Sequence, residues 1–188
     1  IALEGPGGVL FRQTRVGARS RLVDGRIRWE RRNFTIYKFR TMIPGSDEGR
    51  HVQAVRAYVL DDSPLSASDE TPFKLTGDER VTRVGRLLRR LSIDELPQLL
   101  NVFLGEMSLV GPRPVPVYES ELYAQRFEER FAALPGITGL WQVRGRGRLA
   151  FEDAMQLDLE YVRGWSPALD LKILLETIPA VISGRGAR

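Results

Sequence analysis

Apolar and polar positions alternate through the first forty residues, which is the pattern of half-buried β-strands. We predict strands over residues 9–17, 26–30 and 33–42, the last of them rich in β-branched and aromatic side chains. The second and third strands are predicted to pair as a hairpin. Residues 44–72 are polar and contain several prolines and glycines, so this segment is predicted to be a variable surface excursion with one short helix inside it.

Helical periodicity replaces this alternation after the excursion. Residues 81–91 place apolar side chains on one stripe and arginines on the other side, which predicts a basic amphipathic helix. An apolar helical face continues over residues 96–104. Further elements are predicted as helices over residues 118–133, 151–161 and 169–182, and as a turn with a short strand over residues 136–143.

These elements predict one domain, residues 1–188, of the α/β class and α+β type, in which helices surround a small antiparallel sheet. A run of arginines on a helix is most often a solvated face, and a broad apolar face is often core. The helices near residues 81–104 and 169–182 also suit a membrane interface, with arginines at lipid phosphates, and we expect them to rest there. No uninterrupted apolar run is long enough to span a bilayer.

Composition removes several kinds of chemistry. The 188 residues include no cysteine, which excludes disulfides and thiolate metal sites. The single histidine, His51, makes zinc chemistry and Ser-His-Asp catalysis poor explanations. Acids, bases and nucleophiles must therefore be carboxylates, hydroxyls or lysines. A formal charge of +4 and a pI of about 9.7 suit nucleic acid, anionic lipid and phosphorylated substrates equally well.

The candidate chemistry centres on two adjacent carboxylates, Asp94 and Glu95, which follow a run of arginines that includes Arg89. Neighbouring residues of a helix point about 100° apart, so the two carboxylates are expected to divide the work. One would attack or coordinate, and the other would hold a metal ion or tune its neighbour, while the arginines bind phosphate. The structural alternative is that Ser92 caps a helix whose dipole the carboxylates complement.

Other cations are candidates for anion binding. Arg113 lies between two prolines, whose restricted backbone aims its side chain, so we favour an anion-binding role over a surface turn. Lys38 and Arg40 either protect a sheet edge from aggregation or line a phosphate site. The glycine-separated arginines of residues 144–148 form either a flexible basic loop or a phosphate contact.

Together these motifs resemble those of the bacterial sugar transferases, the monotopic polyprenyl-phosphate phosphoglycosyl transferases. Residues 92–114 match almost continuously, and the resemblance covers nearly the whole chain apart from residues 44–72. The other matching segments lie at residues 11–13, 16–17, 37–42, 82–89, 135–139, 142–143, 145–146, 157–158 and 169–173.

The resemblance implies that a phospho-sugar moves from a UDP-sugar to polyprenyl (undecaprenyl) phosphate and that UMP is released. This would be the first membrane step in the assembly of exopolysaccharide, capsule, O-antigen or another glycoconjugate. Asp94 would be the nucleophile that forms a covalent aspartyl-phosphosugar intermediate, and Asp94 and Glu95 would hold Mg²⁺. Arg89 and Arg113 would bind phosphate groups.

Further substrate contacts are expected at three residues on the family's later motifs, Gln142, Arg146 and Asp158, and at Lys38 and Arg40. The resemblance also implies a place at the cytoplasmic face of the bacterial inner membrane, with the membrane surface as a partner. The resemblance is compatible with a homo-oligomer. The family has a membrane-penetrating helix ahead of the first strand. Because the chain opens without that helix and without Met, we expect it to be a segment of a longer protein.

The main alternative is a non-catalytic basic module that binds anionic membrane or nucleic acid. It gives Asp94, Glu95 and Arg113 no role, because carboxylates at the centre of a basic surface would repel a phosphodiester chain. No nucleic-acid motif is present, so we expect no nucleic-acid partner. A third reading is a soluble hydrolase of nucleotide sugars, which would need no lipid acceptor.

Overall fold

A computed structural model describes residues 1–4, 7–43, 52–53, 56, 59, 80–123, 125–145 and 149–182. Its architecture confirms the predicted α+β class, with helices around a small antiparallel sheet. The predicted excursion over residues 44–72 lies almost wholly outside the described residues. Within it, residues 52, 53, 56 and 59 have helical backbone conformation, and Val59 is buried.

One long hairpin forms most of the sheet. β1 (Leu10–Val23) pairs antiparallel with β2 (Arg26–Phe39) along its whole length. Asp24 and Gly25 turn the chain with φ values of 51° and 72°. Positive φ at both central residues gives a two-residue turn the same twist as the strands it joins, which is why Asp-Gly is a strong hairpin signal.

The predicted pairing of residues 26–30 with residues 33–42 is therefore wrong. Both segments belong to the single strand β2, whose partner is β1. The predicted break between them would have fallen at Arg31 and Arg32, which have no turn chemistry. The turn lies instead at the Asp-Gly pair, and the first strand ends six residues later than the alternation of its apolar side chains indicated.

Among the described residues, three short strands follow the hairpin: β3 (Ser108–Val110), β4 (Val115–Pro116) and β5 (Gly136–Thr138). β4 adds to β1 in antiparallel orientation, so the main sheet has the order β2-β1-β4. β3 and β5 form a separate parallel pair. The loop between β3 and β4 therefore joins the two sheets.

Helices cover the sheets on several sides. The described α-helices are α1 (Arg83–Arg90), α2 (Leu99–Phe103), α3 (Val117–Tyr123), α4 (Leu140–Arg144), α5 (Phe151–Arg163) and α6 (Pro167–Ile182). Short 3-10 helices lie at Ala2–Glu4, Ile93–Gln98 and Glu128–Phe131.

Two local predictions are corrected. The helix predicted over residues 118–133 is divided into α3 and the 3-10 helix Glu128–Phe131. The turn with a short strand predicted over residues 136–143 is instead the strand β5 followed by the helix α4. Short apolar runs do not distinguish a strand from a buried helix, so the surrounding packing decides between them.

The core of the described residues is divided among four clusters of buried apolar side chains, each of which includes at least one strand residue. Its aromatic centre is formed by Tyr123, Phe127 and Phe151, whose ring centroids are 5.0 to 6.2 Å apart. Tilted and edge-to-face rings at these distances are favourable beyond the area they bury. Ile173 of α6 is fully buried beside Tyr161 of α5, which fastens the last helix to the domain.

Four helical elements carry many exposed apolar side chains: α1, α2, α6 and the 3-10 helix Ile93–Gln98. We call these side chains together the apolar surface; they are Val84, Leu87, Leu96, Leu99, Leu100, Phe103, Leu171, Leu175, Ile178 and Ile182. Large exposed apolar patches usually mark an interaction site. No helix within the described ranges combines the length and the hydropathy needed to cross a bilayer.

Gly85 allows α1 to lie directly against the backbone at Thr41. A Cβ atom at Gly85 would stand 2.2 Å from the Thr41 carbonyl oxygen. We expect Gly85→Ala to lower the free energy of unfolding by about 1–3 kcal/mol, as overpacking does. This is a net loss although alanine favours a helix by up to about 1 kcal/mol. Chemical denaturation measures it.

Gly8→Ala is the matched control, because a Cβ atom there would lie 3.8 Å from the Leu10 carbonyl oxygen, which is its nearest neighbour apart from the adjoining residues. Its denaturation midpoint should stay near that of the parent. If Gly85→Ala were as stable as Gly8→Ala, α1 would not approach residue 41 as closely as described.

Candidate active site

The two candidate carboxylates lie in the 3-10 helix Ile93–Gln98, directly after α1. Ser92 separates the two helices with a left-handed backbone, φ 54°, instead of the extended backbone typical of a helix cap. A 3-10 helix has three residues per turn, so neighbouring side chains point about 120° apart. Asp94 and Glu95 are both half-buried.

Glu95 is held by two cations from distant parts of the chain. Lys38 Nζ, on β2, donates to Glu95 Oε1 at 2.8 Å, and Arg113 Nη2 donates to the same oxygen at 3.3 Å. The side chains of Lys38 and Glu95 are only 16% and 13% exposed. Limited exposure reduces solvent screening, so charges attract more strongly here than in bulk water. Three of the predicted site residues therefore meet at one carboxylate oxygen.

The buried amide of Asn101 sets the distance between the two elements that carry Lys38 and Glu95. Asn101 Nδ2, on α2, donates to the Thr35 carbonyl at 2.7 Å, and its Oδ1 accepts from the Tyr37 backbone N–H at 3.3 Å. Because α2 continues directly from the 3-10 helix, this clamp holds the carboxylate pair against β2. Lys38 is the next residue along that strand.

Two further predicted cations, Arg89 and Arg40, also make defined contacts. Arg89 Nε donates to Thr41 Oγ1 at 3.0 Å, and its charge lowers the pKa of Asp94, so Arg89 lies within electrostatic reach of that carboxylate. Arg40 is buried, and its Nη2 donates to the Ile1 carbonyl at 3.0 Å. That contact ties the first residues of the chain to the end of β2.

The three residues predicted from the family's later motifs have different positions. Gln142 is buried on α4, and its Nε2 donates to the Ile137 carbonyl at 2.9 Å. Arg146 lies outside the described residues. Asp158 is 1% exposed and accepts from Arg130 Nη2 at 2.6 Å. A substrate contact would have to open this buried pair and leave a charge uncompensated, which is costly. Its burial argues for a structural role, not for the direct substrate contact that we predicted.

An apolar cleft of about 280 Å³ opens beside Glu95. Glu95 and Gln142 line it together with aliphatic side chains, among them Leu91, Leu96, Leu99 and Leu109, and Leu174, Ala180 and Val181 of α6. An apolar chain lying in this cleft would bring a polar head group attached to it close to Glu95.

Burial perturbs the ionisation of the site. Removal from water raises the pKa of Asp94 above the ordinary aspartate value; the Lys38 ammonium group opposes this shift, and the Glu95 carboxylate adds to it. Burial likewise lowers the pKa of Lys38, while the charge of Glu95 favours its protonated form. The two shifts have opposite directions because burial disfavours the charged form of each group.

We expect the Asp94 carboxyl group to titrate above the range of exposed aspartates, protonated below its raised pKa and ionised above it. Glu95→Gln removes one of the charges that raise this pKa, so the titration midpoint should move to lower pH. Carboxyl ¹³C NMR of labelled protein measures both midpoints. Glu121→Gln, at an exposed position, is the control and should leave the midpoint unchanged. A midpoint that stays fixed in Glu95→Gln would contradict the electrostatic coupling of the pair.

Sequence reasoning missed three charged residues beside the site: Arg15, Glu119 and Arg130. Burial lowers the pKa of Arg15 to about 10, and the nearby charge of Arg113 adds to this shift. Burial raises the pKa of Glu119, against the charge of Arg15. Arg130 is buried although it ends a run of charged residues in the sequence. Such runs usually mark a solvated face, so no signal in the sequence separated Arg130 from its exposed neighbours.

The carboxylate pair can be tested for its fit to the Mg²⁺ ion that the resemblance implies. Within the described part of the chain, no group of three or more histidine or acidic side chains is placed to hold a metal. Mg²⁺ is commonly bound by one or two carboxylates together with substrate phosphates and water. Asp94 and Glu95 therefore fit this ion when a phosphorylated ligand supplies the remaining oxygens.

The fold and site define a small α+β domain in which a carboxylate pair is set among partly buried cations beside an apolar cleft. Residues 1–184 match the family model described as bacterial sugar transferase. The chain belongs to this family, and the resemblance drawn from its motifs is confirmed.

Three similar proteins are named as transferases or phosphotransferases. The chain is 45% identical over 157 residues to a UDP-galactose-lipid carrier transferase of Erwinia amylovora, covering 83% of this chain and 32% of that protein. It is 39% identical over 182 residues to an undecaprenyl-phosphate galactose phosphotransferase of Salmonella typhimurium, covering 96% and 35%. It is 42% identical over 191 residues to a UDP-glucose:undecaprenyl-phosphate glucose-1-phosphate transferase of Caulobacter vibrioides, covering 97% and 60%. The chain thus spans about a third of the length of the first two proteins.

Proposed function

We propose that this chain is the catalytic domain of a phosphoglycosyl transferase, which moves a sugar-1-phosphate from a UDP-sugar to polyprenyl phosphate and releases UMP. The observation that carries the proposal is the arrangement at Glu95, where Lys38 and Arg113 converge on one oxygen next to the half-buried Asp94. The names of the three relatives support the same class of reaction.

The first step is an attack by Asp94. A carboxylate oxygen forms a bond to the phosphorus that carries the sugar, while the bond from that phosphorus to the bridging oxygen breaks. The bridging oxygen leaves with UMP, and a covalent aspartyl-phosphosugar remains. Ionised Asp94 is required for this attack, so the rate should rise as pH passes through its raised pKa.

The second step transfers the phospho-sugar to lipid. A phosphate oxygen of the polyprenyl acceptor attacks the same phosphorus, the bond to Asp94 breaks, and the carboxylate is restored. Phosphoryl transfer depends chiefly on positioning and on charge stabilisation. Arg89, Arg113 and Lys38 are the cations that would serve both purposes, since each contributes to the electrostatic environment of Asp94.

Mg²⁺ held by Asp94 and Glu95 together with the diphosphate would neutralise negative charge on the phosphoryl oxygens. Glu95 is suited to hold the ion together with Asp94 because Lys38 and Arg113 fix the position of its carboxylate. The protein's own contribution is to keep the two carboxylates in a partly buried setting where charges are weakly screened.

The apolar surface and the cleft support a lipid acceptor. We propose that the apolar surface rests on the cytoplasmic face of the membrane and that the cleft admits the first isoprene units, which brings the acceptor phosphate toward Glu95. The neighbouring arginines of α1 would meet lipid phosphates. The reaction would then serve exopolysaccharide or capsule assembly.

The test is Mg²⁺-dependent release of UMP from UDP-galactose or UDP-glucose in the presence of undecaprenyl phosphate. The sugars are chosen from the names of the relatives. Release that continues over many turnovers only with both lipid and Mg²⁺ supports the proposal; without lipid, at most one UMP per protein is expected, from the covalent first step. A non-catalytic binding module would release no UMP, and a soluble hydrolase would sustain release over many turnovers without lipid, so either result would overturn the proposed function.

A further inference from the structure

The loop that carries Arg113 is held through its backbone by two buried guanidinium groups. Arg130 Nη2 donates to the Arg113 carbonyl at 3.0 Å, and Arg15 Nη1 donates to the Pro114 carbonyl at 3.4 Å. From these contacts we infer that the buried Arg130–Asp158 pair positions Arg113, aiming its side chain at Glu95. The inference deepens the proposed function and rests on it for its catalytic consequence.

Arg130 joins elements that are far apart in the sequence. Its Nε and Nη2 donate to Asp158 Oδ2, on α5, at 3.2 and 2.6 Å. Its Nη1 donates to Tyr123 Oη, on α3, at 3.0 Å. The same Nη2 that binds Asp158 also reaches the Arg113 carbonyl. One rigid, planar group therefore relates the position of the Arg113 loop to α3 and α5.

Holding the backbone of this loop also directs the side chain. Pro112 and Pro114 restrict the dihedral angles on either side of Arg113. The next residue, Val115, is paired to Val16 in the sheet. With the carbonyl groups of residues 113 and 114 both held, the direction of the Cα–Cβ bond of Arg113 has little freedom. Its guanidinium group then reaches Glu95 Oε1 at 3.3 Å.

The pair is poorly explained as a simple contribution to stability. Arg130 and Asp158 are 2% and 1% exposed, and the desolvation of such a buried pair offsets much of its attraction. Apolar side chains of the same volume at positions 130 and 158 would stabilise the core at least equally. They could not donate a hydrogen bond to the Arg113 carbonyl, and this is the property that a positioning role requires.

The decisive variant is Arg130→Lys, because it keeps the positive charge beside Asp158 but loses the fork that also reaches residue 113. The first readout is the Nε–H NMR signal of Arg113 in ¹⁵N-arginine-labelled protein. The chemical shift of this signal in the Glu95→Gln variant is the reference for an Arg113 whose contact with residue 95 is weakened. We expect Arg130→Lys to move the signal in the same direction. An unmoved signal would overturn the inference whether or not the protein is a transferase.

The second readout is the rate of UMP release, which we expect to fall by about 10- to 100-fold in Arg130→Lys, as it does when supporting contacts of a site are lost. In protein that already carries Arg113→Ala, adding Arg130→Lys should lower the rate of UMP release hardly any further, because its effect acts through Arg113. Equal losses in both backgrounds would show a role independent of Arg113 and would overturn the inference.

Arg163→Lys is the matched control. Arg163 pairs with Glu129 through two donors, as Arg130 does with Asp158, but the two side chains are 60% and 46% exposed. It should leave both the Arg113 signal and the rate unchanged. Denaturation midpoints identify any variant that fails to fold, and Asp158→Glu, which keeps the charge, then takes the place of Arg130→Lys in both measurements. If wild-type protein releases no UMP, the proposed function fails, while the NMR comparison still decides the positioning role.

Discussion

Asp94→Asn is expected to abolish transfer and to lower the rate of UMP release by about 10⁴- to 10⁶-fold, the loss that follows removal of a catalytic unit built on a covalent nucleophile. The amide has nearly the volume of the carboxylate, so the 3-10 helix Ile93–Gln98 should be retained. An uncharged amide cannot displace UMP from phosphorus. The measurement is UMP release from the UDP-sugar in the presence of undecaprenyl phosphate.

A second measurement tests the covalent step directly. Wild-type protein incubated with UDP-sugar and Mg²⁺ but no lipid should gain the mass of one phospho-sugar, and Asp94→Asn should gain none. Asp153→Asn, at an exposed position on α5, is the control and should retain both rate and adduct. Sustained turnover by Asp94→Asn would remove Asp94 from the nucleophile role.

Glu95→Gln is expected to lower the rate by about 10²- to 10³-fold, comparable to the loss of one preorganised electrostatic contact, and to raise the Mg²⁺ concentration needed for half-maximal rate. The amide oxygen can still accept a hydrogen bond, but it carries no charge to hold Lys38 at 2.8 Å and Arg113 at 3.3 Å. Two cations then lose their anchor, and the ion loses one of its two proposed carboxylates. Rates measured over a Mg²⁺ titration separate these effects.

Glu121→Gln serves as the control for the Mg²⁺ titration too, since its side chain is exposed. A double-mutant cycle with Lys38→Met tests the contact itself. The two substitutions should be strongly non-additive, because each removes the same ion pair. A normal Mg²⁺ requirement in Glu95→Gln would exclude Glu95 as a ligand of the ion, and additive losses would mean that the contact with Lys38 has no part in the reaction.

The fold illustrates how local signals succeed and fail. The alternation in residues 9–42 predicted β structure correctly, because side chains on one face of a strand recur every second residue. It did not predict which strands pair, since pairing depends on where the chain turns. The Asp24-Gly25 turn was the available signal, and only the complete hairpin makes its importance plain.

The site shows the same division. Glu95, Lys38 and Arg113 were each selected as candidates from sequence, from the residue types involved and from the family motifs. Their convergence on one oxygen depends on contacts between segments 18 and 57 residues apart. Arg130 and Asp158 are a sharper case, because a charged run and a late motif gave no reason to expect a fully buried pair beneath the Arg113 loop.

The sequence by itself determined the α+β class, the carboxylate pair, the cations that accompany it and membership in the bacterial sugar transferase family, because residue types and their spacing are local properties. The tertiary structure alone decided which cation reaches which carboxylate, which charges are withdrawn from water, and that Arg130 holds the Arg113 loop. Those outcomes follow from how the hairpin, α2, α3 and α5 pack together, and a buried charge is acceptable only where packing supplies its partner.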